Sequence, residues 1–530
     1  MPLRILEDRH LEHVPGTSPL STLGRVDFEI SAGVDSNLLK HDPTGKTVLV
    51  PQPSESPNDP YNWPRWKKEL FTVAIAYGCG CVGAVGPLLT SAFVPLAQEF
   101  DVPLERFTLG CNGAMIAAIS AGSLICNTLA VKFGKRPVYL VTSIGLFVAN
   151  FWGAEAKSFG SLVAARTICG FCMAPMEALV PASIADIWFV HERGYRTAIF
   201  NLGVLGGINL ASPIAGAIIE YASWRTCLHA MGAAFVVQFL ITFFWMPESA
   251  FHRVGAIDID TGAQAAVVDK AEKMEAEHVE DSTSPAPVVE TKKSYLRELL
   301  PYSGYFAKVS FWRTFPPTFR HDGLPRGLVG YDPVHYVHLV ATPPYNFSVA
   351  AVGASNLSSF AATLIATGLA GPIIDGCIKF MSKKNNGVFE PEFRLPIMIS
   401  YLLFTVTGFF AWGESLYRED PWPVPIIVGM GFINFGVQLG TTGVVAYVSD
   451  SHRTMAAEAF AAMNFVKNMF AFGMTFYIND WIATQGVRQC FFVIGGITIG
   501  VVLLTVPMYI FGKRARSFTY RHKLIRRLVE

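Results

Sequence analysis

Residues 109–137 read LGCNGAMIAAISAGSLICNTLAVKFGKRP: no charge falls between Leu109 and Val131, and then Lys132, Lys135 and Arg136 cluster around Gly134. Lipid offers no partner for open backbone amides, so an apolar run of about 20 residues crosses a bilayer as an α-helix. The cations just past it mark the end that stays cytoplasmic. Working outward, the same reading applies to Phe71 to Phe93, Val138 to Trp152, Leu162 to Trp188, Ala198 to Tyr221 and Leu228 to Met246 in the first half of the chain. In the second half it applies to Val349 to Ile374, Leu395 to Trp412, Val424 to Val448, Ala456 to Ile478 and Phe491 to Phe511. These eleven runs predict an all-α polytopic membrane protein.

Composition agrees. The 530 residues are 51% hydrophobic and only 16% charged, with 40 Phe, which exceeds what a soluble core needs and excludes a soluble enzyme. The net charge of +1 hides a basic tail, in which Lys513, Arg514, Arg516, Arg521, Lys523, Arg526 and Arg527 are expected to stay cytoplasmic against anionic lipid. The nine cysteines lie mostly in apolar runs without metal spacing and read as small apolar packing. No phosphate loop, His cluster or Ser/His/Asp order points to an enzyme, and no cofactor, metal or nucleic acid is implied.

Five regions follow. Residues 1–68 are polar, rich in Pro, Ser and Asp, without signal-peptide organisation, and read as a disordered cytoplasmic extension. Residues 69–248 hold six spans, 249–326 form a flexible cytoplasmic linker, 327–512 hold the second bundle and 513–530 the tail. Lys/Arg clusters before the first span, after the second and fourth, and after the Val349 run alternate with acidic loops and fix the orientation. The parity does not close with eleven spans. A twelfth crossing is needed between Pro247 and Pro344, and its best candidate, Gly327 to Ala341, carries Asp332, His335 and His338. It is either an unusual seventh span or a segment truncated relative to related chains.

The loop Asn127 to Pro137 resembles the signature of the major facilitator superfamily between spans two and three, with Asn127 for its first Gly and Val131 for its Asp. A second copy, Gly371-Pro-Ile-Ile-Asp375 with Lys379 beyond, keeps the acid. Two copies at equivalent places imply the internal repeat of that superfamily, two pseudo-symmetric six-helix halves with span seven weak or degenerate. From Asp59 onward the chain is similar to the fungal twelve-span drug:proton antiporter branch: Asp59-Pro60-Tyr61-Asn62-Trp63-Pro64, Arg166, Pro181 to Asp186, Glu192-Arg193-Gly194, Trp224-Arg225, Pro247-Glu248, Pro343 to Phe347 and Glu392-Phe393-Arg394-Leu395. A degraded form of the branch's span-five motif appears as Gly203, Gly207, Ser212, Pro213 and Gly216, whose spacing also suits close helix packing. The resemblance implies a proton-coupled exporter of a small amphipathic organic compound, working as a monomer in the cell membrane with both termini cytoplasmic.

Ionisable and amide residues inside spans are costly in lipid and mark the candidate site. Arg166 and Glu177 lie eleven positions apart, so they share one face of a helix, about 20° apart around it and about 16 Å along it. Glu177 is read as binding a cationic or proton-bearing group, or as an ion pair with Lys467; Arg166 as a coupling residue, by resemblance, or an anchor. Asn434, Gln438, Asn464 and Lys467 are candidate cavity residues, with an interhelical hydrogen bond as the competing reading. Lys132, Gly134, Lys135, Arg136 and Asp375 belong to the two loop motifs, while Asp186 and Asp450 are expected to form gate or loop pairs with Arg193 and Arg453. Asn346-Phe-Ser348 is a glycosylation acceptor sequence. Two alternatives stay open: uptake of an organic cation with Glu177 as counter-ion, and a transport-inactive relative lacking a complete span seven.

Overall fold

A computed structural model describes residues 53–251, 292–302, 304, 345–385, 388–451 and 456–521, with 5–8, 10, 14, 17–19, 40 and 49 nearer the start. The candidate seventh span, Gly327 to Ala341, and the gate residue Arg453 lie outside the described residues. Six helices build the first bundle: α1 Arg65–Val85, α2 Ala114–Phe133, α3 Lys135–Ala154, α4 Phe159–Ala178 with a continuation Val180–Ile187, α5 Val190–Tyr221 and α6 Trp224–Trp245. Five described spans follow: α7 Val349–Lys384, α8 Ile397–Tyr417, α9 Gly431–Ser451, α10 Ala456–Gln485 and a last one broken at Leu504 into α11 Val487–Leu503 and α12 Thr505–Arg521.

Ten of the described helical segments are long and apolar enough to cross a membrane. Helix α10 is not among them; Asn464, Lys467 and Asn468 interrupt its apolar run. Those residues stand at i, i+3 and i+4 and so share one face. Helix ends are closed by local chemistry. Ser158, Ser223 and Ser348 accept amide hydrogens at the starts of α4, α6 and α7. Gly134, at φ +93°, reverses the chain between α2 and α3 in a single residue, a conformation that a side chain resists.

The bundles meet along two seams, α5 on α7 and α2 on α10. If α7 repeats α2, as the two loop motifs imply, and α10 repeats α5, then exchanging the halves exchanges the seams, as a two-fold repeat requires. Small residues set the spacing. A Cβ on Gly207 would collide with the Gly80 carbonyl of α1, one on Gly83 with Val204 O, and one on Gly353 with Ser212 O across the α5–α7 seam. At the acidic end of the bundles Glu220 accepts from the amide of Ala350 (2.6 Å), and Gly113 faces Phe472 and Thr475 of α10. The two bundles are therefore in contact at that end.

The basic end of the first bundle is locked internally. Glu248 accepts from the amides of Lys135 and Arg136 (3.0 Å each), capping α3, and from Ala250 N (2.9 Å). Burial pushes the Glu248 carboxyl above its ordinary range, while those three amides pull it back. Arg136, 2% exposed, donates to Met246 O, Phe243 O (2.8 Å) and Leu299 O (3.0 Å), so it satisfies carbonyls at the end of α6. The central segment rejoins this bundle at Tyr295–Glu298, where Glu298 meets Lys67 at 2.6 Å.

Two sequence expectations change here. The described parts of the extension pack against the bundles rather than standing free: Tyr61 stacks on Phe189 and donates to Ala185 O, and Ile5 and Val14 are buried. In the tail, Lys513 and Arg516 face Glu390 and Glu392 at 2.8–2.9 Å instead of lipid phosphates, because the 390–392 turn brings two buried carboxylates beside α12. Neither partnership is visible in composition.

Replacing Gly207 or Gly353 with Val forces backbones apart, and each variant is expected to lose about 1–3 kcal/mol of stability. Thermal melting of the purified protein in detergent reads this as a lowered Tm, whereas Gly368→Val, which has open space around it, leaves Tm unchanged. Glu248→Ala removes the α3 cap and is expected to cost about 1–2 kcal/mol in the same assay.

Candidate functional site

Two polar constellations cross the seams inside the membrane-spanning region. The first is an ion pair: Glu177 near the end of α4 accepts from the Lys467 ammonium of α10 at 3.2 Å. Pro175 and the turn at Leu179 interrupt α4 beside Glu177. Glu177 is 15% and Lys467 34% exposed by side chain, so the pair is sheltered but reachable by water or a ligand. Charges at this depth are costly unless they meet each other or a polar cavity.

The second constellation is a ladder of amides and hydroxyls joining α5 to α7 and α9. Asn209 donates to Thr363 Oγ1 (3.1 Å) and to Asn434 Oδ1 (3.3 Å). Asn434 in turn donates to Ser359 Oγ and Met430 O at 3.0 Å. Asn201 reaches Thr442 (3.3 Å), Asn356 reaches Ser212 (3.2 Å), and Gln438 reaches Thr367 (2.7 Å). All five amide side chains are buried. Among the described residues, Gln438 Oε1, Asn468 Nδ2 and both amide atoms of Asn127 have no hydrogen-bond partner. A buried polar atom without a partner carries an energetic penalty that a bound polar group would remove.

The structure separates the remaining candidates. Arg166 shares α4 with Glu177 but donates to Val85 O (3.0 Å) and Gly86 O (3.3 Å), at the end of α1, 3% exposed. It caps helix carbonyls. Asn464 is buried on α10 one turn from Lys467. Asp186 pairs with Lys135 (2.6 Å), while Arg193 turns to Trp188 O, Ala185 O and the Tyr61 hydroxyl. Asp450 pairs with Arg394 (2.6 Å). Asp186 was expected to meet Arg193 and instead meets a cation at the start of α3; the expected partner of Asp450, Arg453, lies outside the described residues, and among them Asp450 meets Arg394 of its own half. Lys132 stands near the Phe133 ring, Asp375 is exposed on α7, and Asn346 is exposed at φ +48° just before α7.

Sequence reasoning missed Asn201, Asn209, Ser359, Thr363, Thr367 and Asn356. Their signal was present, as amides and hydroxyls inside apolar runs. Their partners, however, lie 71 to 241 positions away in sequence.

A two-bundle helical fold with a polar, ion-paired centre between the halves defines a secondary transporter. The family model of the Major Facilitator Superfamily matches residues 73–474, and the chain belongs to that family. It is similar to Protein HOL1 of Saccharomyces cerevisiae, 25% identical over 97% of this chain and 97% of that one. It is also similar to the cercosporin MFS transporter CTB4 of Cercospora nicotianae, 24% identical over 94% of this chain and 93% of that one. Among solved structures the proton:xylose symporter XylE aligns with TM-score 0.59 at 14% identity, covering 85% of this chain and 96% of the other, which shows the fold.

Glu177→Gln and Lys467→Met, singly and together, test the pair. Because each single variant leaves one charge unpartnered, the double variant is expected to recover about 0.5–3 kcal/mol of the summed destabilisation. Thermal melting in detergent measures it, and additive losses would show that the pair is not coupled.

Proposed function

We propose that this chain exports a small amphipathic organic compound by proton-coupled alternating access, with Glu177 as the carboxylate at which proton and substrate exclude one another. The observation that carries the reading is the Glu177–Lys467 ion pair across the α2–α4–α10 side of the seam. Protonating Glu177 releases Lys467 and uncouples the two bundles there; a cationic or proton-bearing substrate displaces Lys467 directly. Two ligands that compete for one carboxylate are carried alternately, which is the physical basis of antiport. Contact of the bundles at the acidic end fits one limb of such a cycle, and the buried amides of α9 and α10 supply hydrogen bonds to a polar group of the substrate. The similarity to a cercosporin transporter of Cercospora nicotianae supports a small organic cargo. Both termini in the cytoplasm and the cell membrane as the site of action belong to the same proposal, from the alternation of basic and acidic loops.

A second reading is favoured by one specific feature: the group already seated on Glu177 is itself a primary ammonium. An organic cation taken up by the cell would replace Lys467 at the same carboxylate, with the direction set by the gradients.

Efflux of rhodamine 6G from loaded cells expressing the protein separates these. Export by the proposed mechanism is expected to fall about tenfold or more on adding an uncoupler, and by a similar factor in Glu177→Gln, a loss equivalent to about 1.4 kcal/mol or more. Efflux indifferent to the uncoupler removes proton coupling. Faster accumulation of the dye in cells with the intact protein, abolished in Glu177→Gln, moves the reading to uptake.

A further inference from the structure

Toward the acidic end, α5 of the first bundle and α7 of the second meet in three successive rungs. Deepest of these, the Asn356 side chain of α7 donates to Ser212 Oγ of α5 (3.2 Å), and both residues are buried. One turn further along α5, Gly216 faces Gly353: a Cβ on Gly216 would stand 2.8 Å from Val349 O and 3.3 Å from Gly353 Cα, so the two backbones touch there. That contact carries position 220, another turn on, to the first turn of α7. There Glu220 accepts from the Ala350 amide at 2.6 Å. The outermost rung is therefore a carboxylate of one bundle on the backbone of the other.

Glu220 is badly placed for its own helix and well placed for its neighbour. It stands in the last turn of α5, where the helix dipole disfavours an anion, and that turn holds no basic residue. The start of α7 offers the opposite field. It has no acidic residue in its own first turn, and its N-cap Ser348 accepts from the Ala351 amide (3.3 Å). The neighbouring amide, that of Ala350, is served from across the seam.

We propose that Glu220 is a latch between the bundles: it supplies in trans the anionic cap that α7 lacks, holds the acidic end closed, and lets go each time that end opens; this rests on the alternating-access reading. When the bundles part there, α5 keeps a carboxylate at its own negative end and the Ala350 amide loses its partner. The opened form thus forfeits a charge-assisted hydrogen bond together with a favourable charge–dipole interaction. Water takes their place, because Glu220 is exposed, so the latch is weak enough to turn over. It shares no residue with the Glu177–Lys467 pair, which joins α4 to α10. Releasing the latch is therefore a separate event from exchanging the ligand of Glu177, and it biases the cycle through the closed form alone.

Hydrogen exchange and spin-label distances on the full chain in nanodiscs test this. Glu220→Ala is expected to speed exchange of the Ala350 amide about threefold or more. Spin labels at Lys157→Cys, between α3 and α4, and Gln489→Cys, in the first turn of α11, are exposed at the acidic end and report the separation of the bundles; background from the native cysteines is read on the chain without the added pair. Glu220→Ala is expected to shift the populations about threefold or more toward the longer distance, and Glu220→Gln, which keeps an acceptor without the charge, to shift them less. Glu220→Lys shifts them most. A cation suits the end of α5 but not the start of α7, so opening with Tm unchanged or raised separates a latch from simple support of α5. Two distances in the native chain whose populations ignore Glu220→Ala and Glu220→Lys overturn the latch alone. A single distance in the native chain and in every variant removes alternating access, and the latch falls with it.

Discussion

A bilayer gives a polar group no partner, and the rest of this architecture depends on that constraint. Backbone amides answer it by forming helices, and helix ends answer it with serine caps, a glycine reversal and the arginine at the end of α6. Side chains have no such local solution. Once Glu177, Lys467, Asn209 and Asn434 are placed on apolar helices, they must find one another across the bundle, and they do so across the seams between the two halves. Those seams are also the surfaces that must part if a substrate is to pass. Stability and function therefore draw on the same hydrogen bonds.

The glycines make those seams workable. With a carbonyl where a Cβ would stand, Gly83, Gly207 and Gly353 let α1, α5 and α7 approach backbone to backbone, which gives α5 a firm mounting while the polar side chains cross to the second bundle. The charged ends behave differently. Asp186–Lys135, Asp450–Arg394 and the Arg516 cluster each close within one half, so these carboxylates find their cations without reaching across the seams. At the sheltered centre an opposite-charge pair, Glu177–Lys467, ties one half to the other.

Much of this was legible in the chain. The apolar runs matched helices because their length is set by the membrane, and the basic loop at Lys132 to Arg136 was found because its cations follow an uninterrupted apolar stretch. Glu177 and Lys467 stood out because each is an isolated charge in such a stretch. The partners of Asp186 and Asp450 were not legible. Short sequence separation suggested Arg193 for Asp186, yet the reversal at Gly134 brings Lys135 to it instead, and the 391–394 turn brings Arg394 to Asp450. The extension misled by composition: polar, proline-rich sequence predicts no core of its own, but Ile5 and Tyr61 borrow the surfaces of the bundles.

The sequence by itself determined the class of protein, the position of most spans and the identity of the costly residues inside them, because hydrophobic length and charge are properties of consecutive positions. Tertiary structure alone decided which of those residues meet. Glu177 lies 290 positions from Lys467, and Asn209 lies 225 from Asn434. Such contacts follow from how closely α5 seats against its neighbours and how the halves repeat, and no local pattern records either.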